Sequence, residues 1–134
     1  MITTRNEPSF FLIIGDFVAF LIVTIIGFFN HNSQLDLLRI LANWIPLCLA
    51  WSMAAPLLGL WKPAQHSLLT NWWKIIWAVV LSVPLAVVIR GFILNTPTIG
   101  IFVLVMIATS VAGLFVWRLL WFFLQKKLMD QKNQ

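Results

Sequence analysis

The chain has 134 residues, of which 61% are hydrophobic and 10% charged, and nine Lys and Arg against four Asp and Glu give a net charge of +5. A soluble domain of this length cannot cover so much apolar surface, so the composition excludes a soluble globule and points to a bilayer as solvent. The basic residues are scattered over helix ends and tails rather than gathered in a stripe. That argues against nucleic acid as a partner and for topology signals and anionic headgroups as the use of the charge.

The polar head, 1–9, carries Arg5, Glu7 and Pro8. Proline suits a helix start, where its missing N–H would have gone unpaired anyway. The first apolar run, about 10–29, is as long as a bilayer-spanning helix and longer than a signal-peptide core. Its end, Gly-Phe-Phe-Asn-His-Asn, has no small-x-small cleavage pattern, so it reads as a retained transmembrane helix. One acid interrupts it, Asp16. An ionised carboxylate at the centre of a membrane helix costs about 2.5–3.5 kcal/mol on insertion scales, so it needs a partner or a purpose.

A first loop, 30–34, holds His31, and a second helix is predicted over about 36–60. Asp36 and Arg39 can pair one turn apart at its start. Pro46 and Pro56 should bend it, with neighbouring groups satisfying the carbonyls they free. Cys48 has no second cysteine to pair with and reads as a small buried hydrophobe. The second loop, 61–71, contains Lys62, Pro63 and His66. A third helix follows over about 72–94, with Pro84 near its middle and Arg90-Gly91 near its end. The short uncharged loop 95–98 makes it a hairpin with a fourth helix over about 99–124, and the basic tail beyond is expected to fray.

The expected fold is therefore all-α, a single integral domain (1–134) forming a polytopic membrane bundle of four transmembrane helices. Four spans put both termini on one side, together with Arg5, Lys62, Lys74, Lys126, Lys127 and Lys132, while the other side carries Arg39 and Arg90. The positive-inside rule then gives an N-in/C-in arrangement, multi-pass in the cell membrane with cytoplasmic termini. Trp61, Trp72, Trp73 and Trp121 fall at the inner interface and Trp44 at the outer one, as an aromatic belt would. Small residues recur one turn apart: Gly15 and Ala19, Ala50 and Ala54, Ala78, Ser82 and Ala86, Ala108 and Ala112. Such pairs allow close helix approach, most simply within the chain and otherwise between protomers.

Two constellations stand out. Asp16 lies about six residues, roughly 10 Å, from the inner end of the first helix, and Arg118 lies at the matching depth in the fourth. If those helices are neighbours, the pair fixes helix register, unless Asp16 serves as a protonatable or substrate-binding carboxylate or Arg118 snorkels to headgroups. At the outer end gather His31, Arg39 and Arg90, beside Asp36. Arg90 is placed to cap the last carbonyls of its own helix, or else to join Arg39 and His31 in an anion or headgroup site.

These positions carry a resemblance as well. The Asp16 of the first helix, the Gly27 and His31 that close it, the Leu37-Leu38-Arg39 opening of the second, Pro46, the Arg90 ending the third and Trp117-Arg118 in the fourth resemble the pattern of the domain of unknown function 3054 (DUF3054) family of small four-helix membrane proteins. The sequence departs from that pattern at Phe28 and Phe29, where the family often has basic residues, so its outer loop is less cationic. The resemblance implies a four-helix membrane bundle and assigns no activity.

No catalytic motif appears. His31 and His66 fall on opposite membrane sides in this topology and cannot share a haem iron, and no cluster has metal-site spacing. No Gly-rich phosphate loop or nucleophilic triad is spaced for chemistry. The residues predict no enzyme, no catalytic residue, no metal and no cofactor, with the lipid bilayer and itself or other membrane subunits as partners. Three function classes are carried: an uncharacterised integral membrane protein, as a subunit of a larger complex, whose charges are structural; a small oligomeric transporter using Asp16 as a substrate- or proton-coupling carboxylate; and, behind both, a membrane enzyme or pigment-binding module lined by the eight Trp and eleven Phe.

Overall fold

In a computed structural model, residues 10–30, 36–61 and 68–134 are described. They form four α-helices and no strand: α1 (Phe10–Asn30), α2 (Leu37–Leu57), α3 (Leu68–Leu94) and α4 (Gly100–Lys132). Each contains a stretch long and apolar enough to cross a membrane. At 1.5 Å per residue, about 20 such residues match a hydrocarbon core about 30 Å thick. The architecture is the expected all-α bundle of four membrane-length helices.

The helices pack in chain order around a ring, α1 against α2 and α4, and α3 against α2 and α4, with the broadest contact between α2 and α3. The residues these last two bury are mostly small or β-branched: Ala50, Ala54 and Ala55 from α2, and Ala78, Val79, Ser82, Val83, Ala86 and Val87 from α3. Small side chains let two backbones approach where the solvent is lipid and apolar burial gives no drive of its own. Three hydroxyls in this setting turn back on their own helix. Ser82 Oγ donates to the Ala78 carbonyl at 2.6 Å, Thr24 Oγ1 to Phe20 at 2.8 Å and Ser52 Oγ to Cys48 at 2.7 Å.

α4 departs from the small-residue reading. It buries Ser110, Leu114 and Arg118, spaced one turn apart, and that stripe leaves Ala108 and Ala112 exposed on the outside. Gly113 supplies the close approach instead, since a methyl group there would come within 2.6 Å of Val23 on α1. The helix also continues through the tail expected to fray, as far as Lys132. The residues of that tail are mostly good helix formers, and a lysine in the last turn complements the helix dipole.

α2 stops at Leu57, three residues short of expectation, for a local reason. Gly59 adopts φ 69°, and Gly59 N–H and Leu60 N–H donate to the carbonyls of Pro56 (3.1 Å) and Ala55 (3.0 Å). This is a Schellman cap, and glycine is the residue that enters the left-handed region without strain. It folds Leu60 into the core, where the side chain is buried. α3 ends the same way. Asn95 takes φ 50° and Thr96 N–H reaches back to the Gly91 carbonyl at 3.2 Å. A Gly59→Val variant is expected to lose about 1–2 kcal/mol, the cost of a left-handed conformation for a side chain with Cβ. Thermal unfolding in detergent reads this, and an unchanged midpoint would contradict the capping role.

Candidate functional site

The buried polar centre is built on the inward stripe of α1, where Leu12, Asp16, Phe20 and Thr24 repeat every four residues and all are buried. Asp16 is 0% exposed and Arg118 is 3% exposed. Arg118 Nη2 donates to Asp16 Oδ2 at 2.8 Å. Two indoles donate to the same oxygen, Trp51 Nε1 at 3.1 Å and Trp61 Nε1 at 3.2 Å. Arg118 Nη1 donates to the Leu60 carbonyl at 2.8 Å. One carboxylate oxygen thus gathers α1, α2, the turn after α2 and α4.

The Schellman cap is what delivers two of these partners, the Leu60 carbonyl and the Trp61 indole, to the buried charges. Trp51 is held by an edge-on contact with Phe20, ring centroids 5.3 Å apart at 77°. Next to Asp16 in sequence, Gly15 has the Trp117 indole lying directly on it, and any side chain at position 15 would overlap that ring. Gly15→Ala is therefore expected to push α4 away and cost about 1–3 kcal/mol, as overpacking does. A stability loss with no change in helix content checks this, and a neutral result would contradict it.

The network is not fully satisfied. Among the described residues, Asp16 Oδ1 and Arg118 Nε are buried with no hydrogen-bond partner, as are the Trp117 and Trp121 indole nitrogens. A charge pair removed from water repays its desolvation only through good geometry and further hydrogen bonds. Oδ2 receives three such bonds and Oδ1 none.

The structure brings together Asp16 and Arg118 as the matching depths suggested, and α1 and α4 are neighbours. Sequence reasoning missed Trp51, Trp61 and the Leu60 carbonyl as partners. Trp61 was assigned to the interface belt but turns inward to Asp16, because the cap after α2 folds it back. Trp44, expected in the outer belt, donates to the Phe17 carbonyl of α1 at 2.9 Å. The readable signal was depth: Trp44 and Trp51 both lie well inside α2, too far along for a belt residue. Trp72 and Trp73 are exposed, and Lys74 Nζ lies 5.7 Å from the Trp73 ring.

At the opposite end, Asp36 caps α2 by accepting from Leu38 N–H at 3.2 Å and lies 4.0 Å from Arg39, with both side chains largely exposed. Such a pair contributes little. Arg90, placed by the sequence to cap the carbonyls of α3, makes no such bond among the described residues. Its guanidinium instead stacks over Phe102 of α4, 4.9 Å from the ring centroid. His31, the third member of the predicted cluster, lies outside the described residues. Among the described residues no three His, Cys, Asp or Glu side chains gather to hold a metal ion.

Four membrane-length helices closed around a sealed ion pair define a multi-pass membrane protein. The profile of the family described as Protein of unknown function (DUF3054) matches residues 13–121, so the chain belongs to that family, and the matched span includes both Asp16 and Arg118. No curated protein and no solved structure matches the chain.

Proposed function

We propose that the protein is a non-enzymatic subunit of a membrane complex, resident in the cell membrane, whose buried charges lock its helices together. The observation that carries this reading is the sealing of Asp16: it is 0% exposed, within 2.8 Å of a guanidinium, and bonded by two indoles. A coupling carboxylate must meet water or substrate, whereas a structural one is best closed off. The outward face of α4, with Ala108, Thr109 and Ala112 exposed, supports association with itself or other membrane helices, since small residues admit a neighbour. The excess of Lys and Arg on one side supports cytoplasmic termini. The bilayer is the medium, and nucleic acid has no part.

One observation favours a second reading, a small oligomeric transporter: Asp16 Oδ1 is buried without a donor, an oxygen left open to a proton or a cation. Proteoliposomes enclosing a pH-sensitive dye separate the two. The subunit reading expects an imposed proton gradient to decay no faster than in empty vesicles. A faster decay, abolished by Asp16→Asn in protein that still folds, would replace it with the transporter.

A further inference from the structure

Away from Asp16, the end of the bundle where α2 starts and α3 ends holds two arginines with almost nothing to balance them. Arg39 sits in the first turn of α2, and Arg90 lies about one turn, roughly 5 Å, before the end of α3. Both are therefore at headgroup depth for a helix that crosses the membrane. Arg90 is half-buried, and its guanidinium carbon lies over the Phe102 ring, 4.9 Å from the centroid. Among the described residues it makes no hydrogen bond and no ion pair, and its Nε is buried without a partner. A guanidinium carries five N–H donors in a fixed fork, and here they are unspent. α2 and α3 are consecutive membrane-length helices packed side by side, so the start of α2, with Arg39, and the end of α3, with Arg90, fall at the same end of the bundle.

The acids do not answer this charge. Of those described, Asp16 is closed in with Arg118 and Asp130 lies near the far end of α4. Asp36 alone shares the end with the two arginines. It gives one oxygen to capping α2 and stands 4.0 Å from the exposed Arg39. Two guanidinium groups share this end, and the one on Phe102 is unpaired among the described residues, so an anion between them would answer both. The fork geometry of arginine favours a phosphate, which accepts two parallel bonds from each.

We propose that Arg39 and Arg90 together hold a phosphate group at this end of the bundle. It comes either from a phospholipid headgroup or from free phosphate. The site is independent of whether Asp16 is structural or coupling.

The test uses the full chain in detergent, as wild type, Arg39→Gln, Arg90→Gln and the double variant, with Lys126→Gln/Lys127→Gln as a charge control at the other end. In one arm, protein passed through phosphatidylglycerol or phosphatidylcholine micelles is weighed by native mass spectrometry for retained lipid. In the other, delipidated protein is titrated calorimetrically with inorganic phosphate. Wild type and the lysine control should bind, and each arginine variant should bind roughly tenfold or more weakly, the loss of a charged hydrogen-bond donor. Retained phosphatidylglycerol that phosphate does not displace assigns the lipid headgroup, and calorimetric binding that strips the lipid assigns free phosphate. Equal binding by wild type and the double variant, or no binding by wild type in either arm, would overturn the proposal. If Arg90→Gln fails to fold by circular dichroism, the exposed Arg39→Gln carries the comparison alone.

Discussion

Asp16→Asn is expected to destabilise the bundle by about 3–5 kcal/mol, the cost of breaking a buried pair and leaving its partner charge behind. The stranded group would be Arg118, which keeps the Leu60 carbonyl but loses its only counter-ion among the described residues. The reverse change, Arg118→Gln, should cost less, because a lone carboxyl group can be neutralised by a proton and a guanidinium cannot. Trp51 and Trp61 would still donate to it. Replacing both partners by apolar residues, Asp16→Leu with Arg118→Met, should come close to wild-type stability or exceed it, as exchanges of buried ion pairs often do. Unfolding in mixed micelles, followed by loss of helix, measures all four proteins on one scale. An Asp16→Asn protein as stable as wild type would mean that the network does not hold the fold together.

Trp51→Ala should be nearly as damaging, about 3–5 kcal/mol, since Trp51 is among the largest fully buried side chains. Two contributions are mixed in that loss, the filled volume against Phe20 and the hydrogen bond to Asp16. Trp51→Phe separates them. It keeps most of the ring contact and removes the donor, so it should cost about 1.5–3 kcal/mol, the range for a hydrogen bond to a charged group. If Trp51→Phe is neutral while Trp51→Ala is severe, the indole acts by packing alone, and Asp16 depends on Arg118 and Trp61.

How much of this was legible in the sequence depends on what kind of contact carries it. Four apolar runs of bilayer length announce four helices directly, because length and composition decide a span. The Asp16–Arg118 pair was legible from depth alone, since two charges in otherwise apolar helices have few other partners. The Trp61 donor was not legible, because a tryptophan near a helix end reads equally as belt and as core until the turn beside it is known. That turn depends on Gly59, one residue in a left-handed conformation, and on a backbone carbonyl at Leu60 that no side-chain pattern marks. The facing of α4 was hidden for another reason. Its span is apolar nearly all round, so Ala108 and Ala112 looked as fit for the inside as Ser110 and Leu114, which took it. Arg90 shows the same limit from the other side, because a basic residue near a helix end suggests capping, while only the fold brings Phe102 beneath it.

The central claim is that Asp16 and Arg118 act as one structural unit, and a double-mutant cycle on Asp16→Asn and Arg118→Gln tests it most directly. Unfolding free energies of wild type, both single variants and the double variant give the coupling between the two side chains. The predicted result is a coupling of about 2–3 kcal/mol, at the upper end for residues in direct contact, with the double variant more stable than Asp16→Asn alone. Losses that simply add, with coupling under about 0.5 kcal/mol, would contradict it.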